Sequence, residues 1–414
     1  MPKIKEILAR KVFDSRGVET LEVDVMTEQG FGRVASPFGA PGSRGQFEAP
    51  AYSSKGIDAS IELIEKEIKP KLLGLDAIEQ AKIDRLLREI DGTSNFERIG
   101  GNTSSSISLA VAKASASALK LPLYRHLALD DSYTFPYPLG NMIGGGAHSM
   151  GSAPDMQEHL VVPIGAKNID EAIRINIEVH EKIGEALEER DSKFAGGMDD
   201  ERAWVADLTD VEAFDIIYEV CRKVSERTGI RFGLGLDLAA DRLWNPETKE
   251  YEYHREGKSR NMKEQVNFLS SLIEKYSLFY VEDGFHSNDY ESFALLNKKY
   301  GRKCLICADD IYASNPERTQ HGIEVGSANA MILKPNQVGT VTAALETCKI
   351  AQKHGLKVVV SHRSGETDDA SIAHLAVGWH LSMIKSGVLG GERIAKLNEL
   401  LRINERFVMA DMDI

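Results

Sequence analysis

From residue 231 onward one pattern repeats: a short apolar run ends in a charged or titratable residue and is followed by a stretch with helical apolar spacing. The runs are "RFGLGLD", "SLFYVED", "KCLICADD", "NAMILKPNQ", "LKVVVSHRSG" and "LSMIKSG", and segments such as "TVTAALETCKIAQKHG" lie between them. From the second run on, the terminal residues recur about every 25 positions, which is the spacing of strand-helix units. No Gly-x-Gly-x-x-Gly follows a first strand, so repetition sustained from about residue 135 predicts a closed α/β barrel rather than an open nucleotide-binding sheet. A barrel carries all its strand C-termini to one face, so Asp237, Glu282, Asp309, Lys334, His362 and Lys385 are expected to converge on one pocket.

The earlier part of the chain has a different rhythm. Alternation at Leu21, Val23 and Val25, a turn at "TEQG" and then "FGRVAS" predict a hairpin. Helical spacing at Ile83, Leu86, Leu87 and Ile90 stops at Gly92, and "SSSISLAVAKASASALK" predicts a small-residue helix able to pack closely. Strands followed by helices without alternation give an α+β cap domain over residues 1–132, preceding the barrel domain at 133–414.

The 414 residues are 42% apolar and 27% charged, enough to bury a substantial core. The net charge of −13 and the scatter of Lys and Arg argue against nucleic acid as a partner. They do not exclude a small anionic substrate, because a bound metal ion reverses the local field. No apolar run approaches the ~18 residues of a membrane span, and "MPKIKEILARKVFD" lacks the apolar core of a signal peptide, so the expectation is a cytoplasmic protein without a membrane partner. Cys304 and Cys307 spell C-x-x-C, but they sit in a short apolar run, where residues three apart point to opposite faces. They read as core packing, and no second Cys/His pair at zinc spacing accompanies them.

Three carboxylates on successive strand ends make a hard-oxygen site suited to Mg²⁺. Lysines facing such a cation are expected to have depressed pKa values and so to serve as general bases. The alternative is a set of buried salt bridges between these acids and bases. A metal cluster opposed by a lysine is what abstraction of a proton α to a carboxylate requires, since fixed positive charge must hold the charge that develops.

At this point the chain resembles the enolase family, whose superfamily is known for a Lys or His base with one or two Mg²⁺. The resemblance rests on "DSRGVETLEVDV", "SLAVAKA" with "LPLYRHL", "GGGAHSM" with "DMQEHLVVPIGA", "VED", "ADD", "LKPNQVGT", "VSHRSGET" and "GERIAKLNELLRI", in that order along nearly the whole chain. It implies Asp237, Glu282 and Asp309 as ligands of a first Mg²⁺, Lys334 as the base that takes the C2 proton, and Glu201 in "MDDERAW" as donor of a proton to the departing hydroxide. Lys385 would hold the substrate carboxylate, and Arg363 and Ser364 the phosphate, since a guanidinium fork fits phosphate oxygens. His362, His148, Gln157 and Glu158 would complete the substrate site.

Two loops depart from the family pattern. In "PFGAPGSRG", Pro37 to Gly45, reading Pro41 and Gly42 as an insertion puts Ser43 on the position that ligates a second, substrate-associated Mg²⁺, with Arg44 replacing a threonine. A guanidinium there could add positive charge at the phosphate. Arg202 and Ala203 stand where the family has two glycines. The resemblance implies a lyase that interconverts 2-phosphoglycerate and phosphoenolpyruvate, assembled as a homodimer or larger homo-oligomer. A divergent lyase acting on another phosphorylated or hydroxy acid, and a noncatalytic binding protein on the same fold, stay open at this stage.

Overall fold

The computed structural model describes residues 1–39, 45–149 and 151–405. Strands β1 (Ile4–Phe13), β2 (Glu19–Thr27) and β3 (Phe31–Ala35) form an antiparallel sheet in that order. The hairpin expected at "TEQG" is the β2–β3 turn, closed by Thr27 N donating to Gly30 O at 2.8 Å. The helix Gly101–Ala118 lies on this sheet, and the contact is close because the facing residues are small. A Cβ added at Gly32 would come within 2.0 Å of the Ala110 carbonyl oxygen, so only glycine fits there. The helix Gln80–Asp91 stops at Gly92, whose φ of 74° is the left-handed cap that glycine adopts without a steric penalty.

The remaining strands are β4 (Tyr137–Gly144), β5 (Glu158–Val162), β6 (Gly233–Asp237), β7 (Trp244–Asn245), β8 (Glu250–Tyr253), β9 (Lys258–Asn261), β10 (Tyr280–Glu282), β11 (Leu305–Ala308), β12 (Ala330–Leu333), β13 (Lys357–Ser361) and β14 (Met383–Lys385). Strands β7 to β9 make a small separate sheet, and the other eight close into a barrel in the order β4, β5, β6, β10, β11, β12, β13, β14. Each of the six apolar runs quoted above contributes one barrel strand.

The barrel departs from uniform strand-helix repetition at one place. β5 follows β4 through residues 145–157 without a crossover helix, and it runs antiparallel to both β4 and β6. A direct connection reverses the strand, whereas a crossover helix would have kept it parallel. Reversal places the first residue of β5, Glu158, beside the last residue of β6, Asp237, which is itself in register with Glu282 at the end of β10.

Apolar side chains including Leu139, Leu160, Val162, Ile332 and Val359 plug the barrel beneath this row. Cys307 belongs to that interior plug and Cys304 to the core outside the barrel, the opposite-face packing that their spacing predicts. All four cysteines are free and buried. The cap is tied to the barrel through buried Asp84, whose Oδ2 accepts from Thr342 N at 2.9 Å while its Oδ1 accepts from Ser108 Oγ at 2.6 Å. Among the described residues, no helix is long and apolar enough to cross a membrane.

Candidate active site

The strand ends meet as a layer of buried charge. Lys385 Nζ lies 2.9 Å from Glu158 Oε1, 2.9 Å from Asp237 Oδ2 and 3.0 Å from Glu282 Oε1. Burial opposes the charge on Lys385, but Asp237, Glu158 and Glu282 outweigh it and hold the ammonium well above its ordinary value. Lys334 is drawn onto Asp309, whose other oxygen accepts from Gln337 Nε2 at 3.1 Å. Burial lowers Lys334, but the adjacent Asp309 carboxylate more than compensates, and that pairing raises its pKa.

The opposite wall is built around Glu201. Its Oε1 lies 3.3 Å from His362 Nε2 and 3.7 Å from His148 Nε2, and its Oε2 accepts from Asn141 Nδ2 at 3.3 Å. The loop carrying Glu201 is shaped by Asp199, whose Oδ1 accepts from Glu201 N at 2.8 Å and Ala203 N at 2.9 Å. Arg202 takes φ 69°, so the backbone keeps the left-handed turn that glycine favours while the arginine side chain is exposed. Asp283, directly after Glu282, is likewise left-handed at φ 42°, so two residues that follow site carboxylates carry backbone strain.

Burial works against protonation of His148, yet Glu201 and Asp200 raise it to about 10, with Asp200 Oδ1 2.7 Å from His148 Nδ1. Burial pushes His362 down to about 4, against the pull of Glu201 and aided by the charge of Arg393. Arg393 Nη1 donates to His362 Nδ1 at 2.6 Å, which puts the ring proton of a neutral His362 on Nε2, facing Glu201. Burial also opposes ionisation of Glu201, but His362 and His148 prevail and hold its carboxyl well below the usual range.

On the third side, Arg363 is buried and forked onto Glu48, with Nη1 to Oε2 at 2.8 Å and Nη2 to Oε1 at 3.2 Å. Glu48 Oε1 also accepts from Gln337 Nε2 at 3.1 Å and Gly45 N at 3.0 Å. Phe38 and Gly365 form a two-way backbone bridge that fixes the entry of the lid segment beside Ser364. Ser43 and Arg44, together with Pro41 and Gly42, lie outside the described residues.

The donor set fits a divalent cation. Glu158, Glu282, Asp283 and Asp310 are all pushed up, first by burial and then by neighbouring carboxylates, with Glu282 at about 8. Glu158 Oε2 and Gln157 Oε1 are buried and make no hydrogen bond among the described residues. An excess of buried carboxylate with orphaned oxygens is the chemistry that a hard cation satisfies. Among the described residues, two groups have three ligand atoms mutually within 4.8 Å: His148 with Glu158 and Glu201, and Asp283 with Asp309 and Asp310. Asp237 and Glu282 converge through Lys385, while Asp309 is held on Lys334.

Comparison with known proteins decides the family. The family model for the enolase C-terminal TIM barrel domain matches residues 132–412, and that for the enolase N-terminal domain matches residues 4–127. The chain belongs to the enolase family. It is similar to the proteins named Enolase from Methanosphaera stadtmanae (48% identical over 412 residues, 99% of each chain) and Methanothermobacter thermautotrophicus (47% over 409 residues, 99% of this chain and 98% of the relative). A third, also named Enolase, from Archaeoglobus fulgidus, is 44% identical over 402 residues and 97% of each chain.

One pocket is lined by His148, Gln157, Glu158, Glu201, Asp237, Asp309, Lys334, His362, Arg363, Ser364 and Lys385, with Glu282 reaching it through its contact with Lys385. Several supporting residues had no role in the sequence reading. Asn141 and Asp199 hold Glu201; Glu48 and Gln337 hold Arg363 and Asp309; Arg393, fully buried, joins His362 to the carbonyl oxygens of Arg363 and Ser364, each at 2.6 Å. Arg393 stands inside the quoted "GERIAKLNELLRI", where two cations, Arg393 and Lys396, share the helix face of Leu397, Leu400 and Ile403, and that was the available signal.

Proposed function

We propose that the protein is a Mg²⁺-dependent lyase catalysing the reversible dehydration of 2-phospho-D-glycerate to phosphoenolpyruvate. The observation that carries this reading is the placement of Lys334 and Glu201 on one pocket whose floor is the Glu158, Asp237 and Glu282 row, in a chain of the enolase family. In this reading Lys334 Nζ takes the proton from C2, and the C3 hydroxyl leaves as water with a proton from Glu201. His148 and Glu201, 3.7 Å apart, form a pair able to hold that proton, since His148 is protonated beside an ionised carboxylate. Lys385 meets the substrate carboxylate and Arg363 with Ser364 the phosphate, the guanidinium donating through the N–H groups that its pairing with Glu48 leaves over.

Asp237, Glu282 and Asp309 would hold the cation. It would supply the positive charge that stabilises the carboxylate as the α proton leaves, and Lys334, released from its pairing with Asp309, would act as the base. A second, substrate-associated Mg²⁺ at Ser43 belongs to the same reading, as do a homodimeric or larger homo-oligomeric assembly, a cytoplasmic location and the domain boundary at 132/133. The left-handed Arg202 supports the assigned substrate over a divergent one, because the turn beside Glu201 keeps a shape suited to glycine despite the altered side chain.

The test is formation of phosphoenolpyruvate, followed by its ultraviolet absorbance, from 2-phosphoglycerate across a Mg²⁺ titration, with Lys334→Ala as control. Mg²⁺-dependent turnover that disappears in the variant is expected. A folded, Mg²⁺-binding protein without turnover would overturn the substrate assignment.

A further inference from the structure

Tyr280 and Glu282 are two residues apart on β10, so both side chains point into the barrel. Tyr280 is fully buried in the interior plug, and its hydroxyl donates to Glu282 Oε2 at 2.5 Å. The other oxygen of the same carboxylate, Oε1, lies 3.0 Å from Lys385 Nζ on the pocket side. The two oxygens therefore have different partners, one beneath the site and one within it.

The neighbouring strand makes room for this arrangement. Tyr280 is in register with Gly235 on β6, and a Cβ added there would lie 2.9 Å from Tyr280 Cβ and 3.1 Å from its carbonyl oxygen. Any larger residue at 235 would displace the tyrosine. On the other side Cys307 is in register with Glu282, packs in the same plug and sets its thiol in hydrogen-bonding reach of the Tyr280 hydroxyl.

We infer that Tyr280 is a positioning residue for the cation site, its hydroxyl fixing Glu282 so that Oε1 is presented to the pocket. The inference rests on the proposed reading of Glu282 as a metal ligand. A terminal carboxylate rotates about a broad torsional minimum, and a buried donor on one oxygen removes that freedom. Without the hydroxyl, Oε2 would be left in an apolar interior with no donor, and the carboxylate would turn to satisfy it, which weakens a cation contact at Oε1.

The experiment is titration of the substrate-free, full-length protein with Mg²⁺ by isothermal calorimetry, comparing wild type with Tyr280→Phe, Leu160→Val and Glu282→Gln. Tyr280→Phe is expected to weaken Mg²⁺ binding about 10- to 100-fold, the usual effect of removing an outer partner of a metal ligand. Leu160→Val, which disturbs the same plug beside Gly235 and keeps the hydroxyl with its partners, should bind as wild type does. Equal weakening in Leu160→Val and Tyr280→Phe would assign the effect to packing and overturn the role of the hydroxyl. Unchanged binding in Tyr280→Phe alongside loss in Glu282→Gln would overturn the positioning role alone. Unchanged binding in Glu282→Gln would overturn the ligand assignment beneath it. If Tyr280→Phe fails to fold by circular dichroism, Gly235→Ala replaces it: weakened Mg²⁺ binding is expected, and wild-type binding overturns the inference.

Discussion

Glu48 engages both terminal nitrogens of Arg363 inside the protein, joining the segment after the lid to the strand end that follows β13. Removing one partner of a buried ion pair leaves the other charge uncompensated. Glu48→Ala is therefore expected to destabilise the fold by about 3–5 kcal/mol, with Glu48→Gln intermediate because the amide oxygen still accepts. Urea denaturation checks this, and a loss for Glu48→Ala below about 1 kcal/mol would contradict it.

Arg202 holds a left-handed backbone conformation that disfavours any side chain with a Cβ. Arg202→Gly relieves roughly 1 kcal/mol of that strain and gives part of it back through the greater freedom of the unfolded chain. The expected net change is a stabilisation of a few tenths of a kcal/mol up to about 1. Thermal melting of the variant beside the wild type decides, and a marked destabilisation would mean that the guanidinium matters structurally.

Asp210 begins the helix Asp210–Thr228, buried against His159, with Asp155, Glu256 and Arg260 as its charged neighbours. Burial raises its pKa to about 7, and its Oδ1 accepts from Met156 N at 2.9 Å. A carboxyl whose folded pKa lies above its unfolded value contributes stability that is complete below pH ~4 and is lost as pH rises through ~7. Asp210→Asn keeps an acceptor for Met156 and does not titrate. The difference in stability between variant and wild type should therefore move in favour of the variant between pH 4 and 7, by at most about 4 kcal/mol. A difference that stays flat across that window would remove this account.

Chelation offers a test of the carboxylate floor that needs no substrate. If a cation relieves the repulsion among Glu158, Asp237, Glu282 and Asp309, then Mg²⁺ at a hundred times its dissociation constant adds about 2.7 kcal/mol relative to protein in EDTA. The melting temperature should rise accordingly and fall back on chelation. Identical melts in EDTA and Mg²⁺ would contradict a resident cation at this site.

Much of this was legible because strands announce themselves by apolar runs, and barrel topology converts each run's last polar residue into a site residue. Asp237, Glu282 and Lys385 end their strands, and Asp309, Lys334 and His362 follow theirs closely. The hidden parts were hidden for physical reasons. β1 carries Lys5, Glu6, Arg10 and Lys11 among its apolar residues, and Arg10 finds Glu22 and Asp24 only across the sheet, so the run reads as polar. The direction of β5 leaves no mark, since "EHLVV" is buried throughout whichever way it runs. Residues such as Glu48 and Gln337 act only through partners far along the chain, and no local pattern encodes such pairs. Tyr280 was within reach, because two-residue spacing on a strand puts it beneath Glu282.

The reversed β5 has a consequence of parity. A strand that runs downward delivers the chain to the far end of the barrel, and β6 must start from that same end. A single helix would arrive at the wrong rim, so the chain needs an even number of crossings, and the helices Ile169–Arg190 and Asp210–Thr228 supply two. Their connecting loop, residues 191–209, is thereby left at the pocket end, and it is the loop that carries Asp199, Asp200 and Glu201. One inverted strand thus gives the pocket two things that an all-parallel barrel would not place there: the start of β5, with Gln157 and Glu158, and the helical hairpin's own bend with Glu201.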